Sequence, residues 1–259
     1  MNELKERFIV GILGVILIIG ANFVSELIFL IVLLAIFIPA SMEIIKMFGF
    51  KTIGKLLFIL TSSITVCILA YLLNKGYISN LKILIPLYIW FLSVILIILF
   101  SSKESELLAP FYAIYLWIPF VFACFLRIDY GALQTLILLA TIWSLDSFSY
   151  LFGKKFGKHK IAPLISPNKT WEGTISGIVI SFLIFLILSI IFSGFSYRWI
   201  ILGIIIPLYG FFGDLFESFL KRQRRLKNSG SMLKAHGGML DRFDSFIFAA
   251  IAYYPFLSI

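Results

Sequence analysis

Charge is what this chain has least of. Of its 259 residues only 13 are acidic and two are histidine, 14% are charged in all, and 61% are hydrophobic. Soluble domains carry about 25% charged residues, so a water-soluble globule is excluded and a polytopic membrane protein is indicated. Cysteine is equally scarce. Cys67 and Cys124 both lie inside apolar runs, where a free thiol behaves as a small hydrophobe, and a disulfide framework is not expected. No Gly/Ser linker and no long-period repeat divides the chain, which suits one integral domain. Residues 8–23 have the length of a signal-peptide core, but Asn22-Phe23-Val24-Ser25-Glu26 lacks the small residues of a cleavage site, so this stretch is read as a spanning helix.

Apolar runs are what the chain has in plenty. A bilayer requires roughly 17 to 25 apolar residues of a helix, and nine such runs stand out, at about 8–24, 27–45, 55–73, 83–100, 108–126, 131–152, 174–193, 197–217 and 242–258. The expected fold is all-α, polytopic, with about nine transmembrane helices around a cytoplasm-facing polar cavity. Only Arg127-Ile128-Asp129-Tyr130 separates the fifth run from the sixth, and the eighth is expected to continue as helix through Lys221 and Arg222. Residues 1–130 read as amino-terminal scaffold helices, and 131–259 as carboxyl-terminal helices with the long polar loops.

The net charge of +9 invites a nucleic-acid reading, but the placement of the cations argues against it. With the amino terminus inside, 18 of the 22 Lys and Arg fall on cytoplasmic segments and only Lys75, Lys82, Arg127 and Arg198 fall outside. Cationic loops stay inside. Two long polar loops, near 153–173 and 221–241, then share the cytoplasmic side.

The acids divide into two groups. Glu3, Glu6, Glu26, Glu43, Glu104, Glu106 and Asp129 lie at termini or short loops and read as solvated. Asp146, Glu172, Asp214, Glu217, Asp241 and Asp244 gather in the second half. A carboxylate at the middle of a spanning helix costs roughly 2.5 to 3.5 kcal/mol, so several together imply a wet cavity, a metal, or both. Asp214, Glu217 and Ser218 stand at i, i+3 and i+4, with Lys221 one further turn along the same face. Asp241 and Asp244 are three apart where the last helix begins. Carboxylates so grouped suit Mg²⁺, although Asp241 is also a natural helix cap.

The densest polar segment is Ser218–Asp244, which holds seven Lys or Arg, a His-Gly-Gly turn and two carboxylates. Ser218, Lys221, Arg222, Lys227, His236, Gly237, Gly238, Asp241, Arg242 and Asp244 stand at the spacing of a known signature. The segment resembles that of the phosphatidate cytidylyltransferase (CDP-diacylglycerol synthase) family, with Asn228 where the family has Asp and Lys234 where it has Pro or Gly. The loop from Ser166 through Lys169, Thr170 and Glu172 to Gly173 is similar to the family's Ser-Pro-x-Lys-Thr-x-Glu-Gly segment. Asp146 to Tyr150, Gly153 to Gly157 and Gly213 to Ser218 each match a further family motif, Ser149 replacing an Ala. The likeness covers about 140–259 in order, whereas the first 130 residues match only as apolar spans.

The resemblance implies an enzyme joining CTP and phosphatidic acid into CDP-diacylglycerol and pyrophosphate. It implies catalytic roles for Lys221, Arg222, His236, Asp241 and Asp244, and Mg²⁺ on Asp214, Asp241 and Asp244, with a second cation left open. It implies substrate contacts from Asp146, Ser166, Lys169, Thr170, Glu172, Ser218, Lys227, Gly237, Gly238 and Arg242. Arg224 and Arg225 fall at variable positions and suit contacts with anionic lipid. The partners are then CTP, phosphatidic acid and membrane lipids, not nucleic acid, and a homodimer is left open. A CTP-dependent lipid-alcohol kinase is the nearest alternative. An ion or anion transporter fits less well, because polar residues crowd one half of the chain.

Overall fold

The computed structural model describes residues 3–74, 80–101, 106–230 and 237–258. The order is α1 (Glu3–Val24), α2 (Glu26–Met47), α3 (Thr52–Asn74), α4 (Asn80–Phe100), a short 3₁₀ turn, α5 (Ala109–Phe156), β1 (Lys160–Ala162), β2 (Ser166–Thr170), α6 (Trp171–Ser193), α7 (Tyr197–Gln223) and α8 (Leu240–Ser258). Among the described residues, five helical segments are long and apolar enough to cross a membrane: Glu26–Met47, Thr52–Leu69, Glu106–Phe156, Trp171–Ser193 and Tyr197–Gln223. The chain is a multi-pass membrane protein.

The fifth and sixth apolar runs form one kinked helix. Gly131 breaks α5 with φ 81° and ψ −178°, a backbone state that a side chain would strain. Freed polar groups at a kink need partners inside the protein. Asn22, buried in α1, donates from its side-chain amide to the Ala132 carbonyl at 2.8 Å, and Arg127 Nε donates to the Asn22 carbonyl at 2.8 Å.

Lipid tails are as apolar as leucine, so helices associate in a membrane by close packing and polar links, with no net gain from hiding oil. The sequence supplies small residues where that packing is closest. Gly173 and Gly177 on α6 face Ser149 and Gly153 on α5. A Cβ on Gly173 would sit 2.6 Å from the Ser149 carbonyl oxygen, and one on Gly177 would sit 2.8 Å from that of Leu145. On α7, Gly213 lies against α8, where a Cβ would meet the Asp244 carbonyl at 2.5 Å. These contacts bring the late turns of α5 and α7 to the early turns of α6 and α8. The first half of α5 and nearly all of α8 form the centre, with Tyr115, Phe122, Ile247, Ile251 and Tyr253 fully buried. Trp90 of α4 is fastened there by donating from its indole to the Tyr115 carbonyl at 2.9 Å.

Two expectations are corrected by the fold. The segment near 153–173 is not an open loop: α5 runs on to Phe156 and an antiparallel hairpin follows, with Lys160 opposite Thr170 and Ala162 opposite Ser166. Thr170 ends the hairpin and caps α6, accepting from the Gly173 amide at 3.3 Å. Two acids read as solvated are structural. Glu106 accepts from the amides of Lys51 (3.2 Å) and Gly54 (2.8 Å) at the start of α3. Glu43 is buried in α2 and reaches the start of α8.

Candidate active site

The ends of four helices and the hairpin enclose a cavity of about 770 Å³. α5 contributes Asp146, Ser149 and Lys154; the hairpin contributes Lys160, Asn168, Lys169 and Thr170; α7 contributes Asp214 and Lys221; α8 contributes Asp241, Arg242 and Asp244. Residues almost 100 positions apart therefore face one space. Four carboxylates and five cations line it, so its formal charge is nearly balanced. A polyphosphate entering such a site needs a cation to accompany it.

Two lysines are already held by acids. Lys169 Nζ lies 2.5 Å from Asp214 Oδ2 and stands over the Phe211 ring, 5.4 Å from its centre. Lys221 lies between Glu217, fully buried one turn earlier on α7, and Asp241, whose Oδ1 is 2.7 Å from Nζ. The i, i+4 spacing of Glu217 and Lys221 makes this pair possible on one helix face. Ion pairing restrains both lysine side chains at the cavity wall.

Asp241 has a second task. Its Oδ2 accepts from the amides of Gly238 at 2.8 Å and Ser229 at 3.0 Å. One carboxylate thus holds the backbone ahead of α8 and pairs with Lys221. Gly237 has φ 83°, and a Cβ there would also lie 2.8 Å from Asp241 Oδ2, which is why glycine is needed at the turn. Asp244 is buried one turn on, its Oδ1 accepting from the Ser245 amide at 2.6 Å. Ser245 Oγ in turn donates to Asp146 Oδ1 at 3.4 Å.

Of the residues expected at the site, Asp146, Lys169, Thr170, Asp214, Lys221, Asp241, Arg242 and Asp244 line the cavity. Arg222 points elsewhere, donating from Nε to the Ile165 carbonyl at 3.0 Å and from Nη1 to that of Leu226 at 2.5 Å. It ties the hairpin to the end of α7. Glu172 holds the base of the hairpin, taking the Lys158 amide at 3.0 Å and His159 Nδ1 at 2.6 Å. Ser218 Oγ donates back to Asp214 at 3.4 Å, Ser166 sits in β2, and Lys227 is exposed. Gly237 and Gly238 build the turn behind Asp241. His236 and Lys234 lie outside the described residues. Lys154, Lys160 and Asn168 line the cavity without having been singled out; their nearness to Lys169 in the same polar segment was the available signal.

The donor set suits a hard cation. Among the described residues no three His, Cys, Asp or Glu side chains form a ready-made metal cage. Mg²⁺ rarely demands one, since it takes one or two carboxylates and completes its shell with water and phosphate oxygens.

A profile of the cytidylyltransferase family matches residues 5–259. The chain belongs to the cytidylyltransferase family. A phosphatidate cytidylyltransferase of Bacillus subtilis is 33% identical over 270 residues, spanning 99% of this chain and 97% of that protein. One from Staphylococcus aureus is 50% identical over 110 residues, 41% of this chain and 42% of its own length. One from Staphylococcus haemolyticus is 44% identical over 137 residues, 52% of each. The chain thus spans about half the length of the staphylococcal relatives it matches.

Proposed function

We propose that this cytidylyltransferase transfers the cytidylyl group of CTP to phosphatidic acid, giving CDP-diacylglycerol and pyrophosphate. The observation that carries the reading is the convergence of Asp214–Lys169 and Asp241–Lys221 with Asp146 and Asp244 on one polar cavity in a membrane protein. A phosphate oxygen of the lipid attacks the α-phosphorus of CTP, and the bond to the departing pyrophosphate breaks. No protein nucleophile is required, so the residues act by position and charge. Lys169 and Lys221 turn from their carboxylates toward phosphate oxygens. Arg242 adds a third cation at the mouth, and Asp146 and Asp244 orient the site through Ser245. Mg²⁺, held by Asp214, Asp241 and Asp244, would neutralise charge on the reacting phosphates.

In this reading the chain crosses the bilayer nine times, α5 counting twice, and the cavity faces the cytoplasm, where CTP is available. Acyl chains stay in the membrane while the headgroup enters the cavity. Incubating purified protein with phosphatidate, Mg²⁺ and CTP labelled at the α- or γ-phosphate tests the chemistry. A CDP-lipid retaining the α-label is expected, whereas transfer of the γ-label would identify a kinase instead. Impermeant thiol labelling of cysteines placed beside Lys169 and Lys227 tests the orientation. Labelling from outside intact cells would overturn it.

A further inference from the structure

We infer that Glu43, on the second helix and 196 residues ahead of Met239, is a positioning residue for catalysis. The inference rests on the cytidylyltransferase reading above. Glu43 is 4% exposed. Its Oε1 accepts from the Met239 amide at 2.8 Å, and its Oε2 accepts from the Leu240 amide at 2.9 Å and from Ser229 Oγ at 2.9 Å. Met239 directly precedes α8 and Leu240 opens it, where the first amides have no partner within the helix. Glu43 therefore caps α8 from another helix, with its negative charge at the positive end of the helix dipole.

The fit is close on every side. A Cβ on Gly230 would lie 2.6 Å from Glu43 Oε1, and one on Gly238 would lie 2.5 Å from Oε2. The two glycines let the turn close around the carboxylate. Two acids consequently hold the backbone that leads into α8. Asp241, which lines the cavity, takes the Ser229 and Gly238 amides, and Glu43, which does not, takes Ser229 Oγ with the amides of Met239 and Leu240. Glu43 is not among the residues lining the cavity, and neither are its hydrogen-bond partners Ser229, Met239 and Leu240. It acts by fixing where α8 starts, and so where Asp241 and Asp244 stand and which way Lys221 is drawn. A glutamine there keeps the size, but its amide nitrogen must face one of the N–H or O–H donors.

The test compares Glu43→Gln, Glu43→Asp and Ser229→Ala with wild type, reading kcat and KM for both substrates together with amide hydrogen exchange. In Glu43→Gln, kcat should fall about a hundredfold, the scale of a small misplacement at a reacting centre, with both KM values within about threefold. Glu43→Asp should recover part of that loss, and Ser229→Ala, which removes one of three contacts, should cost only a few-fold. Exchange should quicken at 237–242 and stay unchanged along 246–256. A kcat within about twofold of wild type in Glu43→Gln overturns the inference, as does a loss accompanied by faster exchange throughout α5 and α8. Should Glu43→Gln fail to fold, Ser229→Ala is judged by the same pattern. If wild type makes no CDP-lipid, the functional reading falls, and exchange at 237–242 still decides whether Glu43 holds the turn.

Discussion

In α1–α4 many large apolar side chains face away from the protein, with Leu17 60%, Ile31 55% and Ile95 51% exposed, while along α8 Ile247, Ile251 and Tyr253 are wholly buried. α6 and α7 also turn one side outward, with Ile187 and Ile201 each 55% exposed. The second half is therefore the inner one in its polar chemistry: the four cavity carboxylates and all five cavity cations come from α5 onward. Because lipid does not reward burial of oil, the inner half must hold together through close backbone approach and polar links. Glycines at 173, 177 and 213 and the ion pairs of Lys169 and Lys221 are those devices. Glu43 joins the halves beside the site, an outer-helix residue that holds the backbone leading into α8.

Substitutions in the inner half should therefore cost turnover and those in the outer half should not, Glu43 apart. The largest effect is expected from Asp241→Asn and Asp244→Asn. Each should abolish measurable CDP-lipid formation, a loss of several kcal/mol of transition-state stabilisation, while membrane insertion persists. Near-normal activity of both at limiting Mg²⁺ would remove the metal assignment. Next comes Gly177→Leu, whose side chain has no room against Ser149 and Leu145. It should separate α5 from α6, lower the thermal midpoint in detergent and reduce kcat/KM by about a hundredfold. An unchanged midpoint would mean that α5 and α6 can part without consequence.

Lys169→Ala should lower kcat/KM for CTP by roughly ten- to a hundredfold, as expected for one charge-assisted phosphate contact. Asp214 is part-exposed, so stability should hardly change. An effect on phosphatidate KM alone would reassign Lys169 to the lipid. The smallest effect is expected from Glu106→Gln in the outer half. It weakens the cap on α3 by about 1 kcal/mol or less and should leave kcat unaltered. A tenfold fall in kcat there would erase the contrast with Glu43.

Much of this site was legible because its spacing is local. Asp214, Glu217, Ser218 and Lys221 share a helix face by periodicity alone, and the structure pairs Glu217 with Lys221 along it. Thr170 caps α6 immediately ahead of an apolar run, a position that suits a Thr side chain. What escaped reading was never local. The hairpin has strands of three and five residues, and Ser-Pro-Asn-Lys-Thr carries little strand character. Arg222 has the right position for a phosphate ligand and spends its donors on carbonyls of the hairpin and its own helix end. Glu43 looked like any acid near a helix end; its partners lie 186 to 197 residues away.

By itself the sequence determined the solvent, the helices and the chemical types present. Apolar runs of spanning length leave the backbone no other way to satisfy its hydrogen bonds in lipid, and acids and cations confined to a few helix ends must gather wherever those ends meet. Only the tertiary structure decided which acid does what. A carboxylate is a metal ligand, a lysine partner or a helix cap according to the donors that reach it, and those donors belong to other helices. Asp241 meets Lys221 and two amides, Asp214 meets Lys169, and Glu43 meets the first amides of α8. Periodicity orders residues along one helix, and the glycine contacts that set how closely the helices approach decide the rest.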